Sequence, residues 1–121
     1  MSATNFDELV ILVAEEAPHA LVLDWYRRLE LTLRAYLSAR GLNFVSGVNA
    51  ERVVAEDALL GPAAAATMRE LRTIRNKHTH GWEPLAAADS VAFAHRAFAL
   101  IGAVMRVQGT REIRHLEISG A

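Results

Sequence analysis

One arginine and two histidines fall within six residues of each other in the segment Ile74-Arg75-Asn76-Lys77-His78-Thr79-His80-Gly81-Trp82. Arginine is permanently charged, whereas histidine titrates near neutrality. Together they are suited to cutting an RNA phosphodiester. A histidine can take the proton of a 2′-hydroxyl or return one to the leaving 5′-oxygen. An arginine can stabilise the charge that builds on the phosphoryl oxygens. That route requires no metal and leaves a 2′,3′-cyclic phosphate. A second reading uses the same residues differently: Arg75 pairs with an acid such as Asp24 or Glu30, and His78 and His80 merely finish a helix.

The helix that must carry these residues can be drawn from the sequence. With Leu71 at 0° and about 100° per residue, Met68 falls at about 60°, Arg75 at about 40°, His78 at about −20° and Ile74 at about −60°. Arg75 therefore lies on the apolar face, where an arginine rarely sits without a partner. Gly81 argues that the helix ends before His80, so that His80 can be carried back toward Arg75. The surrounding charge is cationic. From Arg69 to Lys77 there are four bases and one acid, followed by the two histidines. Arg72, Lys77 and His78 are accordingly expected to meet a phosphate-bearing ligand. Trp82 either stacks on a base or packs over the helix end.

Other chemistries are excluded or unsupported. The chain has no cysteine, which removes disulfides, thiolate metal sites and cysteine nucleophiles. There is no His-Glu-x-x-His, no other metal-ligand spacing and no Gly-Lys-Ser/Thr phosphate loop, so neither metal nor cofactor is expected. His19, His95 and His115 read as structural or surface residues, Glu15-Glu16 and Glu56-Asp57 as solvated or helix-end charges, and Trp25 and Tyr36 as core.

The 121 residues suit a single domain. Five helices can be placed by period and punctuation. Phe6, Leu9, Val10 and Val13 share one face of the first, capped by Thr4 or Asn5. Pro18 opens the second and Gly41 ends it. After a connection from Gly41 to Ala50, a short third helix is expected over Ala50–Leu60 with Asn49 as its cap. Gly61-Pro62 breaks and restarts the chain into a fourth helix, from Pro62 to about His78. The fifth is expected from Asp89 or Ser90 to about Gln108. It carries two apolar stripes, Val91-Ala94-Phe98-Ile101-Met105 and Phe93-Ala97-Leu100-Val104-Val107, and is thus apolar around most of its girth. The tail from Thr110 shows no period. The expectation is an all-α single bundle of about five helices over 1–110, with a C-terminal tail over 111–121. The net charge of −1 divides into an acidic half and a basic half, the basic one containing Arg75. The longest stretch without a charged residue, Ala58–Met68, is too short to span a bilayer, and no secretory leader is visible. A cytoplasmic protein with no membrane partner is expected.

The stretch Leu71-Arg72-Thr73-Ile74-Arg75-Asn76-Lys77-His78-Thr79-His80-Gly81 resembles the signature of the HEPN superfamily: an arginine, a polar residue, a short spacer and a histidine at the end of an amphipathic helix. Ala17-Pro18-His19-Ala20, Trp25 and Arg28-Leu29-Glu30 are similar to the opening of a long early helix in one branch of that family. The likeness spans roughly residues 5 to 108. It implies a HEPN-like bundle and, in many members, a metal-independent endoribonuclease of toxin–antitoxin or phage-defence systems. By position it makes Arg75 and His80 the catalytic pair and Asn76 their polar helper. It also implies a homodimer with the site at its two-fold axis, RNA as substrate, and an antitoxin or defence-system protein as partner. The family also contains inactive members that bind only nucleotides or proteins. One departure concerns Trp82, which stands where one subgroup of toxins has a tyrosine that a partner nucleotidyltransferase modifies; AMPylation there is not expected.

Overall fold

The computed structural model describes the backbone of residues 3–79 and 82–118 and the side chains of 6–79 and 82–111. Five helices follow one another: α1 (Ala3–Glu16), α2 (Pro18–Ala39), α3 (Gly47–Glu56), α4 (Gly61–Lys77) and α5 (Ala87–Ile118). No strand occurs among the described residues, and the all-α bundle expected from sequence is what forms.

Local chemistry explains most boundaries. Pro18 occupies the first turn of α2, where its missing N–H costs nothing. Gly41 takes a positive φ of 74° just past the end of α2, which a side chain would resist. The Gly41 and Leu42 amides then turn back to the carbonyls of Ser38 and Leu37 at 3.0 and 2.9 Å, closing the helix. α3 begins three residues earlier than expected. Ser46, not Asn49, is its cap, and the Ser46 hydroxyl accepts from the Asn49 amide at 3.1 Å.

α2 and α5 pack along each other and are the spine of the molecule. Leu29, Leu33, Tyr36 and Leu37 of α2 meet Phe93, Ala97, Leu100 and Val104 of α5 in the main core. α4 lies against this pair through Ala65, Met68 and Leu71, and α3 covers α4 with Ala50 and Val54. α1 closes the opposite side, where Val10 and Ala14 pack with Leu21 and Ala94. Burying each of the larger of these side chains contributes about 1.5–3 kcal/mol.

The two stripes of α5 part company. Phe93, Ala97, Leu100, Val104 and Val107 are buried, whereas Phe98 and Met105 on the other stripe are exposed. Over Ala87–Arg111, α5 is long and apolar enough to cross a bilayer by length and composition, a span that the count of uncharged residues passes over. Its inner stripe is nonetheless committed to the core.

α5 also runs to Ile118 rather than to Gln108. What was expected as a tail over 111–121 is helical up to that point. Arg111 explains the start of the extension. Its Nη1 lies 2.7 Å from Oδ2 of Asp57, which stands at the end of α3, one of the two places expected for it, but is buried.

Candidate functional site

α4 delivers the segment singled out by sequence. Arg75 is half-buried on the core-facing side of α4, while Asn76 and Lys77 are exposed. Arg75 and Lys77 stand in the last turn, where cations meet the unpaired carbonyl end of the helix favourably. Thr79 Oγ1 donates to the Arg75 carbonyl at 2.9 Å and so satisfies part of that end.

Among the described residues the Arg75 guanidinium has two close partners, both neutral. Nη1 donates to Asn76 Oδ1 at 2.9 Å. Its Cζ sits 5.4 Å from the centroid of the Tyr26 ring, reached across from α2. Among the described residues no carboxylate is within ion-pair distance of Arg75. The acids considered from sequence are accounted for otherwise. Asp24 is bound to Arg28 at 3.1 Å, and Glu30 acts on the Tyr26 phenol. Burial raises that phenol above its ordinary range, Glu30 adds to the rise, and Arg72 and Arg75 partly offset it. The ring that faces Arg75 is therefore a neutral phenol at physiological pH.

Arg72 is engaged within the molecule. It is hydrogen-bonded to Glu51 of α3, which is buried and also held by Arg69 at 3.3 Å. The Arg72 side chain reaches Glu51 by crossing Gly47, where a Cβ would come within 3.0 Å of its Cδ and Nη1. A side chain at position 47 would therefore require Arg72 to shift by a few tenths of an ångström. Lys77 pairs with Glu83 at 3.5 Å between two largely exposed side chains, an interaction of little energy. Arg69 and Arg72 share Glu51, Lys77 meets Glu83, Glu70 is matched by Arg96 and Arg75 has no carboxylate among the described residues, so the α4 end keeps a positive excess.

His78 is not on the surface. It terminates α4, is buried, and its Nδ1 has no hydrogen-bond partner among the described residues. Its ring lies edge-on to His19, with centroids 5.5 Å apart. His19 Nε2 in turn approaches the Glu83 carbonyl at 2.8 Å. The two histidines therefore lock the segment after α4 to the start of α2. His80 and Gly81 lie outside the described residues. Trp82, just beyond them, exposes 85% of its surface. No three His, Asp or Glu side chains cluster closely enough to hold a metal ion among the described residues.

A second surface was only partly foreseen. Two open grooves of about 460 Å³ each flank α2. One, between α2 and α5, is lined by Leu31, Ala35, Val104 and Met105. The other, between α1 and α2, is lined by Phe6, Leu9, Val13 and Trp25. Phe98 borders the second, with its ring 4.6 Å from that of Phe6 and 6.0 Å from that of Trp25. Tyr26 and Ala35 are nine residues apart on α2, hence about 180° apart around it. Tyr26, which faces Arg75, and the α2 residue lining the α2–α5 groove thus lie on opposite sides of that helix.

The Asp57 cluster was missed. Tyr36 Oη donates to Asp57 Oδ2, Arg40 Nη1 lies 3.4 Å from the same oxygen, and the Leu59 amide donates to Oδ1 at 2.8 Å. Burial opposes the charge on Asp57, but Arg111, Tyr36 and the Leu59 amide outweigh it and hold the carboxyl far below the usual carboxylate range. Its only trace in the sequence is an acid placed directly before an apolar turn.

Compared with known proteins, the chain matches no family model, no curated protein and no solved structure.

Proposed function

We propose that the chain is a metal-independent endoribonuclease of HEPN type, acting as a toxin or phage-defence effector. The observation that carries the reading is Arg75: half-buried, oriented by a ring and an amide, and not neutralised by any carboxylate among the described residues. A cation held in that way is an anion receptor, and the positive excess of the α4 end favours a polyanion.

In this reading His80 removes the 2′-hydroxyl proton of RNA. The 2′-oxygen attacks phosphorus, the bond to the 5′-oxygen breaks, and that oxygen takes a proton as it leaves. Arg75 stabilises the charge on the non-bridging oxygens, with Asn76 fixing the guanidinium. Lys77 contacts the backbone of the RNA and Trp82 stacks on a base. Two copies would bring their Arg75 and His80 residues together about a two-fold axis on the Tyr26 side of α2. An antitoxin or another defence-system protein would restrain the activity in the cytoplasm.

The test is cleavage of RNA by the purified protein in EDTA, with His80→Ala and Arg75→Ala as controls. Loss of cutting in both variants, with the fold retained, supports the assignment. Unchanged cutting by either one overturns it. Mass in solution should be near twice 13.3 kDa.

A second reading is a catalytically silent HEPN-like module that binds a protein partner or a nucleotide. The apolar grooves of α1, α2 and α5 favour it, because exposed apolar surface of this kind marks interaction sites. Protein that never cuts RNA yet retains a partner through Phe98 and Met105 would decide for it.

A further inference from the structure

An arginine can be oriented by a carboxylate or by an aromatic ring, and the difference decides what it can bind. A carboxylate occupies N–H groups and cancels the charge. A ring face occupies none of the five N–H donors of the guanidinium and leaves its charge intact. Arg75 has the second arrangement. Its guanidinium stands over Tyr26, and Asn76 is the side chain to which its Nη1 donates. The remaining donors can engage two oxygens of a phosphate side by side. Tyr26 is half-buried on α2, which the core fixes through Val22 and Leu29 on either side of it in sequence. Glu30, one turn further along α2, acts on the phenol but makes no ion pair with Arg75 among the described residues.

We infer that Tyr26 is the positioning residue for Arg75, its ring aiming the guanidinium at the scissile phosphate while leaving the charge unquenched. The inference rests on the reading of Arg75 as a phosphate-contacting residue. The ring is the working part, and the hydroxyl is dispensable.

Two measurements on the full chain test it, using Tyr26→Phe, Tyr26→Leu and Arg75→Ala. The first is steady-state cleavage of a short fluorescein-labelled single-stranded RNA in EDTA. Tyr26→Phe should retain kcat, and Tyr26→Leu should lose about 100-fold in kcat, the loss typical of a misplaced group, with KM little changed. The second is the NMR signal of the Arg75 Nε–H, recorded below the melting temperature of each variant. In the wild type and in Tyr26→Phe the signal should carry the upfield ring-current shift of a proton near an aromatic face. In Tyr26→Leu that shift should vanish. Full kcat in Tyr26→Leu, or an Arg75 signal indifferent to Tyr26, overturns the inference while leaving the ribonuclease reading intact if Arg75→Ala is inactive. Wild-type protein that never cuts RNA sinks the ribonuclease reading instead. The aiming role of Tyr26 falls with it, and the NMR signal then reports only whether the ring orients Arg75.

Discussion

Arg111 Nη1 lies 2.7 Å from Asp57 Oδ2, so a residue far along α5 is tied to the turn that joins α3 to α4. Tyr36 and Arg40, at the end of α2, share the same carboxylate. Three chain segments are thereby held to one buried charge. The arrangement fastens α5 beyond Val107, the last buried apolar residue among those whose side chains are described.

Breaking such a cluster from its centre is costly, because cations and a phenol lose their acceptor together. Asp57→Ala should destabilise the protein by about 3 kcal/mol. Tyr36→Phe, which removes one neutral donor, should cost about 1 kcal/mol. Urea unfolding followed by circular dichroism measures both. A loss below 1 kcal/mol for Asp57→Ala would mean that the carboxylate is solvated after all.

The cluster also fixes a pH dependence. The folded Asp57 carboxyl sits well below its unfolded value of about 3.9, so its contribution is complete above that pH. It declines as the pH falls further and the folded group begins to protonate. Tyr36 acts in the opposite direction. Burial, reinforced by the hydrogen bond to Asp57, raises its phenol, so its contribution is complete below about pH 10 and is lost as the pH rises beyond. The stability difference between wild type and Asp57→Asn should be flat from pH 5 to pH 9 and shrink at both ends, which unfolding curves across that range will test.

The sequence made some of this legible and concealed the rest, for a physical reason. Helix punctuation is local, so Pro18, Gly41 and Gly61-Pro62 marked α2 and α4 to within a residue or two. The half-buried position of Arg75 followed from its angle to Leu71 alone. Two side chains near an element's start can compete to cap it, and Ser46 won over Asn49 because the chain is still extended at Ser46. Pairings between distant segments leave no periodicity. The bond of Arg72 to Glu51, the burial of His78 and the convergence on Asp57 all belong to that kind. The role of Tyr26 is equally invisible, since it depends on α2 passing beside the end of α4.

Arg72 and Lys77 should separate when each is replaced by alanine. Arg72→Ala leaves Glu51 buried with a single, largely exposed arginine and should cost about 1–2 kcal/mol. Lys77→Ala, at an exposed pair, should change stability by less than about 0.5 kcal/mol. On RNA the order reverses. Lys77→Ala should reduce the salt dependence of binding by about one phosphate contact, whereas Arg72→Ala should leave it unchanged. A lowered salt slope in Arg72→Ala at full stability would restore the RNA-binding role that its charge suggested.

Met105→Lys tests whether self-association and the apolar grooves are separate. Met105 is 62% exposed on the outer stripe of α5, so the substitution should alter stability by no more than about 0.5 kcal/mol. Ala35, across the same groove, is about 180° from Tyr26 around α2. A dimer that brings two Arg75 residues together on the Tyr26 side of α2 is therefore expected to leave this groove uncovered. Sedimentation equilibrium should give Met105→Lys the mass of the wild type, and RNA cleavage should be undiminished. A monomeric, inactive Met105→Lys would instead place the dimer contact on the α2–α5 groove. It would also separate the two Arg75 residues and remove the composite site.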